Sequence, residues 1–192
     1  MKVQFTNFKI VVMLACLFAF YSCDKIKDAA TTEIKVSSVS FEIDDITVEE
    51  DLSKSTAEDG LNIFNATHEV TLNDIQGLPD NAIKYAGKIE SVEIGDASVT
   101  ITTTNEDGTV VKEFLLTATG IGSSINIPQY NLGETYTDFA NMQDFVTQLL
   151  MELFVNNSTN LTASGKTDIT SGENIKIKIT VEDITLIAGI LN

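Results

Sequence analysis

Two pairs of adjacent acids, Asp44-Asp45 and Glu182-Asp183, are the residues whose type and repetition first invite a chemical reading. Both sit in one repeated word of apolar, polar, apolar, acid, acid, Ile, Thr, apolar, spelled from Phe41 to Val48 and again from Ile179 to Leu186. If the two segments lie side by side, four carboxylates come together, and hard oxygen ligands in that number suit Ca²⁺. The competing reading, which is favoured, lets each pair face solvent at a bend, because no Asp-x-Asp-x-Asp-Gly loop accompanies them. The nearest approach, Thr103 to Gly108, has threonine in the first ligand position and Phe114 where the bidentate glutamate should fall. Two carboxylates roughly 5–10 Å apart would also suffice for a glycosidase, and acids are plentiful, but aromatic platforms for sugar are scarce.

Other reactive types are thinly spread. His68 is the single histidine, and its spacing from Phe64, Ala66, Val70 and Leu72 aims it at a core face or strand boundary, so a structural or half-exposed role is expected. No nucleophile or metal-ligand partner accompanies it, and the Gly-x-Ser-x-Gly, His-Glu-x-x-His and phosphate-loop patterns are missing. Tyr130 and Tyr136 form the one aromatic pair placed for ligand stacking, although packing beneath the helix that follows them is the stronger expectation. An apolar ligand under that helix would occupy a cavity lined by Phe139, Phe145, Leu149 and Leu153, which makes Tyr130, Tyr136, Phe145 and Leu149 the candidate ligand-binding residues.

Cys23 stands apart from these. Lys2 and Lys9 precede an uninterrupted apolar run from Ile10 to Tyr21, closed by Ser22-Cys23 and followed at once by Asp24-Lys25. The run is shorter than the roughly 20 residues needed to span a bilayer, so it reads as a secretory leader. A small residue before a cysteine at the end of such a leader resembles the processing site of bacterial lipoproteins, with the looser box common among those of Bacteroidota. Phe20 and Tyr21 stand where that family usually has leucine and a small residue. The resemblance implies cleavage before Cys23, acylation of its thiol, and attachment to the cell envelope, in the outer membrane. Cys16 is rejected as the rival because it would leave Leu17 to Tyr21 as an apolar start to the mature chain. The implied division is a signal peptide over 1–22, a lipid-anchored tether over 23–33 and a single domain over 34–192.

The domain must then be built from strands. Period-two runs appear at Val39, Phe41, Ile43; at Val99, Ile101; at Phe114, Leu116, Ala118; and at Ile175, Ile177, Ile179, Val181. In both repeated words the apolar phase switches from odd to even numbers across the acid pair, which requires a bulge or bend. The two words are expected to pair. The cluster at 105–108 predicts a hairpin joining Thr100-Ile101-Thr102 to Val110-Val111. One segment breaks the pattern: Phe139, Met142, Phe145, Val146, Leu149, Leu150 and Leu153 recur at helical spacing, which predicts an amphipathic helix over 139–155 that Thr137 or Asp138 starts and Asn156-Asn157-Ser158 ends. The fold class expected is mainly β, an immunoglobulin-like sandwich with one helix.

Charge narrows the partners. The 192 residues hold 12 Lys and no Arg against 28 Asp and Glu; without Lys2 and Lys9 the difference is 10 − 28 = −18. A surface of that sign repels phosphate backbones, so nucleic acid is not an expected partner. The predicted helix carries Asp144 and Glu152 and no lysine, so it is not expected to lie on anionic lipid. The reading that collects these features is a non-catalytic, lipid-anchored envelope protein with a binding or assembly role, acting on an unknown envelope protein or small ligand and needing no cofactor unless the acids hold Ca²⁺. A carrier of a hydrophobic ligand and a carboxylate-dependent glycosidase are the alternatives.

Overall fold

The computed structural model describes residues 31–51, 60–103 and 110–190. The leader, Cys23, the tether up to residue 30 and the turn at 105–108 lie outside the described residues. Nine strands dominate: β1 (Thr31–Glu49), β2 (Asn62–Thr71), β3 (Ile89–Glu93), β4 (Asp96–Thr103), β5 (Val110–Ala118), β6 (Ile125–Asn131), β7 (Thr135–Tyr136), β8 (Ser158–Thr167) and β9 (Asn174–Gly189). Two α-helices join them, α1 (Asp80–Lys84) and α2 (Phe139–Asn156), with a 3-10 turn at Leu72–Asp74. The protein is mainly β.

The strands run in the order β6-β5-β8-β2-β1-β9-β4-β7, with β3 joining β9 beyond the end of β4. Long β1 connects the two halves: up to Thr47 it pairs with β9, and at Val48 and Glu49 it turns to pair with β2. The apolar sides of both halves fill one core, in which Phe41, Phe64, Phe114, Phe145 and Phe154 are fully buried. All the strand residues expected at the core face are buried except Ala66 and His68, which are half-buried. The outer edge of the second half is β6, whose Pro128 costs no ladder bond at an edge position. Across from it Glu113 adopts a left-handed φ of 53° and forms a bulge against β8, held by Lys166 at 2.6 Å.

The strands that carry the repeated words are neighbours, β1 lying antiparallel to β9, but the words themselves share a single register pair. Phe41 faces Ile179, so each word starts from the same cross-strand pair and runs away from the other. Both phase switches are present. On β1 the register slips between Ile43 and Ile46, with Asp45 at φ 58°; on β9 Asp183 adopts φ 52°, and burial passes from Val181 to Ile184. Aspartate tolerates the left-handed conformation better than most side chains, which is a backbone reason for an acid at both positions. Gly95 makes room for the second bulge, because a Cβ there would lie 2.7 Å from the Cβ of Asp183.

The predicted hairpin between Thr100-Ile101-Thr102 and Val110-Val111 is not formed. β4 pairs with β9 and β7, whereas β5 pairs with β6 and β8, so the connection passes from one half of the sheet to the other. Both strands carry the period-two pattern, and each finds its partners elsewhere in the chain. The predicted helix is observed within one residue of its expected end, with Asn157 at φ 65° closing it, as a short polar side chain can. Asp138 is its N-cap but makes no side-chain cap bond, so α2 is held by packing against β3, β4, β6 and β8.

Candidate functional site

The β1 bulge that turns Asp44 and Asp45 outward also opens a concavity beside it. Glu42, Asp44 and Asp45 form one wall, His68 and Glu69 on β2 another, and Asn73, Asp74 and Gln76 the third, around about 550 Å³. The chain builds the third wall through a capping box: Asp74 Oδ2 accepts from the backbone N–H of Thr71 and from its hydroxyl, both at 2.8 Å. Gln76 then pairs with Ser40 of β1 through backbone bonds of 3.0 and 2.8 Å, which ties the turn to the bulged strand. The next residue must be glycine: Gly77 has φ 85°, and a Cβ there would meet the carbonyl oxygen of Ser38 at 2.7 Å.

Lysines on β9 balance the β1 wall. Lys176 Nζ lies 2.5 Å from Glu42 Oε2 and 3.1 Å from Asp44 Oδ1, and Lys178 lies 3.6 Å from Glu42 Oε1. The hydrogen bond from Lys176 holds the Glu42 carboxyl below its usual range, opposed by desolvation and helped by the charges of Lys176 and Lys178. The same bond, together with one to Asp44, pushes Lys176 above its usual range. Since the Glu42 pKa is depressed on folding, its contribution to stability is present above the unfolded-state value and is lost as pH falls through the lowered one. The Lys176 contribution runs the other way, present below the unfolded lysine value and lost as pH rises through the raised one. In Lys176→Met the Glu42 carboxyl is expected to titrate higher, back toward an ordinary glutamate, as measured by carbon-detected NMR; an unchanged titration would contradict this account.

The two acid pairs do not come together. Glu182 faces Ser38, while Asp44 and Asp45 fall between the pairs Ile43–Ile177 and Ile46–Ile175. Six to eight residues of strand separate them, roughly 20–25 Å at the rise of a β-strand. The Ca²⁺ reading of Asp44, Asp45, Glu182 and Asp183 as one ligand set is therefore corrected: antiparallel pairing from a shared Phe41–Ile179 centre sends the acids in opposite directions. Asp183 instead lines a separate shallow cleft of about 520 Å³ with Lys35, Ser37 and Thr185. Among the described residues no group of three or more His, Cys, Asp or Glu is placed to hold a metal ion.

The residues proposed for a ligand beneath α2 are spent on packing. Phe145, Leu149 and Leu153 are fully buried, and Tyr130 is buried with its hydroxyl accepting the backbone N–H of Ile101 at 3.2 Å. Burial raises the Tyr130 pKa, partly offset by that hydrogen bond. Tyr130 is thus a core residue with a satisfied polar tip, in line with the stronger expectation of packing and against the weaker one of a stacking platform. Tyr136 is half-buried and donates to Asp138 Oδ2 at 3.3 Å, while Asn141 donates to the Tyr136 oxygen at 3.3 Å and to the carbonyl of Asn126 at 2.8 Å. Those bonds fasten the start of α2 to the edge strand β6. His68 has the expected half-buried position and lines the acidic concavity.

Sequence reasoning passed over Glu42, Glu69, Asp74 and the balancing Lys176. A partial signal existed for the last: Lys176 and Lys178 alternate with Ile175, Ile177 and Ile179, as Glu42 and Asp44 flank Ile43, so antiparallel pairing of β1 with β9 sets opposite charges on one face. The concavity as a whole offers a ligand carboxylates, one imidazole and two carboxamides. That lining suits a polar or cationic group and not an apolar one.

No protein-family model matches the chain, and no curated protein matches it. Among solved structures, the chain is similar to the decameric BFDV capsid protein at 7% identity and TM-score 0.37, covering 81% of this chain and 98% of that one. It is similar to Desmodium yellow mottle tymovirus at 10% identity and TM-score 0.34, covering 84% and 90%. A third likeness is to tobacco necrosis virus, at 12% identity and TM-score 0.30, covering 84% and 97%. TM-scores this low establish no common function.

Proposed function

We propose that the protein is a non-catalytic lipoprotein of the bacterial cell envelope, held in the outer membrane by an acylated Cys23 and serving a binding or assembly role. The observation that carries this is the order of residues at the start of the chain: two lysines, an apolar run from Ile10 to Tyr21, Ser22, Cys23, then a polar segment. Supporting it is the economy of the domain that follows. Among the described residues Asp45, Glu113 and Asp183 serve bulges, Asp74 a capping box and Glu42 and Asp44 cross-strand ion pairs, and most of the aromatic side chains serve the core. A glycosidase needs a carboxyl kept protonated to act as general acid, and Glu42 is driven in the opposite direction. A carrier needs space where Phe145 and Leu149 are already packed. In the finer description the domain is an immunoglobulin-like sandwich, a reading that rests on the first strand changing sheets and lying along the last.

The binding role belongs on this reading to the acidic concavity beside Asp44 and Asp45, whose partner is a polar or basic group of another envelope component. Metabolic labelling with radioactive palmitate tests the anchor. Wild-type protein is expected to incorporate label and sediment with membranes, and Cys23→Ala to lose the label and remain in the soluble fraction. A Cys23→Ala protein that stays attached as firmly as wild type would overturn the reading.

A further inference from the structure

We infer that one end of the sandwich, where β1 begins, rests on the bilayer that holds the lipid, with Ile83, Val155 and Ile190 entering the headgroup boundary and Lys84 and Lys88 beside the phosphates. The inference rests on the lipid-anchor reading and adds to it an orientation and a contact surface. Three observations place the parts together. Thr31 pairs with Gly189, so the tether enters the domain next to Ile190. The loop after α1 reaches both sides of that point: Gly87 donates to the carbonyl of Phe154 at 2.7 Å, one residue from Val155, and Gly189 donates to the carbonyl of Lys88 at 2.9 Å. Ile83 begins the same loop, through the bond from the Ala86 N–H to its carbonyl at 3.0 Å.

Among the described residues few large apolar side chains are exposed. Ile83, Val155 and Ile190 are 38%, 52% and 47% exposed, and the fourth large apolar side chain exposed among the described residues, Leu115, lies away on β5. Clustered exposed apolar groups mark a surface that something covers. The length of chain before the domain says what. From Cys23 to Thr31 there are eight residues, which at full extension reach only about 28 Å, so this end can never be far from the membrane.

The charge distribution fits the same occupant. Residues 24–35, 80–90, 150–156 and 186–190 hold five Lys against six acids, whereas the remainder of the exported chain holds five Lys against 22. The end at the tether is thus nearly neutral, and the rest of the surface is repelled by anionic headgroups. Lys84 and Lys88 make no ion pair among the described residues. The acidic concavity opens beside the β1 bulge, beginning eleven residues beyond Thr31, and its third wall adjoins the end of α2, where Leu72 donates to the carbonyl of Asn157 at 2.8 Å.

The chain has no tryptophan, so single substitutions give a clean reporter. Ile83→Trp, Val155→Trp, Ile190→Trp and, as control, Leu115→Trp would be made in the full acylated protein and reconstituted into vesicles of phosphatidylethanolamine and phosphatidylglycerol carrying brominated acyl chains. The expected result is co-flotation of all four, with blue-shifted, bromine-quenched emission at positions 83, 155 and 190 and unquenched emission at 115. Flotation with no quenching at the three positions overturns the orientation and leaves the anchor standing. Blue-shifted but unquenched emission assigns the patch to another protein surface, a second copy included, and also overturns it. Failure of every variant to float overturns the anchor, and the inference with it.

Discussion

Replacing Phe145 by alanine is expected to cost about 3–5 kcal/mol, a large part of the 5–15 kcal/mol typical of a whole domain. The side chain is fully buried at the middle of α2, among Met142, Leu149 and Leu153 on one face and the strands beneath. Nothing at the helix start compensates, since Asp138 provides no side-chain cap and the first turn holds no acid. The loss should appear as a lower midpoint of urea denaturation at an unchanged slope, because the surface exposed on unfolding is nearly the same. Phe139→Ala, at a half-buried position in the first turn, should cost clearly less. Equal losses at 139 and 145 would mean that α2 is not seated as described.

The second large effect is expected from adding one methyl group. A Cβ at Gly165 on β8 would lie 2.7 Å from Cζ and 3.0 Å from Cε1 of Phe64, and 3.2 Å from the carbonyl oxygen of Lys112. The ring cannot swing aside freely, because Phe64 is 1% exposed and packs at a tilt on Phe114, with ring centroids 6.5 Å apart. The carbonyl is fixed as well, being next to the Glu113 bulge. Gly165→Ala should therefore destabilise by about 1–3 kcal/mol, as overpacking of a tight core does. Pairing it with Phe64→Leu should recover part of that loss, with a coupling of about 0.5–3 kcal/mol in a double-mutant cycle. Strict additivity of the two substitutions would place the clash elsewhere.

The helix and most of the strands were legible because burial obeys periodicity. Phe41, Ile43, Phe114, Leu116, Ile177 and Ile179 alternate with polar neighbours, and Met142 to Leu153 recur every three or four residues. Pairing of β1 with β9 was legible for a different reason: two copies of one word with the same interruption demand similar surroundings. What periodicity cannot say is which strand lies beside which, or in which direction. Val99 and Ile101 on β4 and Val111 on β5 look alike as sequence, and the intervening turn residues favoured a hairpin that long-range pairing with β9 and β8 displaced. The acid pairs failed in the same way. Their chemistry was read from composition, but their separation depends on the antiparallel direction, and their presence is explained by the left-handed backbone at Asp45 and Asp183. Short α1 has no apolar stripe and left no periodic trace.

The zipper of fourteen register pairs between β1 and β9 starts at Thr31, where the tether arrives. A pull applied at Thr31 and resisted at the Asn174 end of β9 would load that ladder in shear, many backbone bonds at once instead of one by one. If the proposed anchor holds the chain just before that strand, the domain would gain mechanical endurance from backbone hydrogen bonds alone.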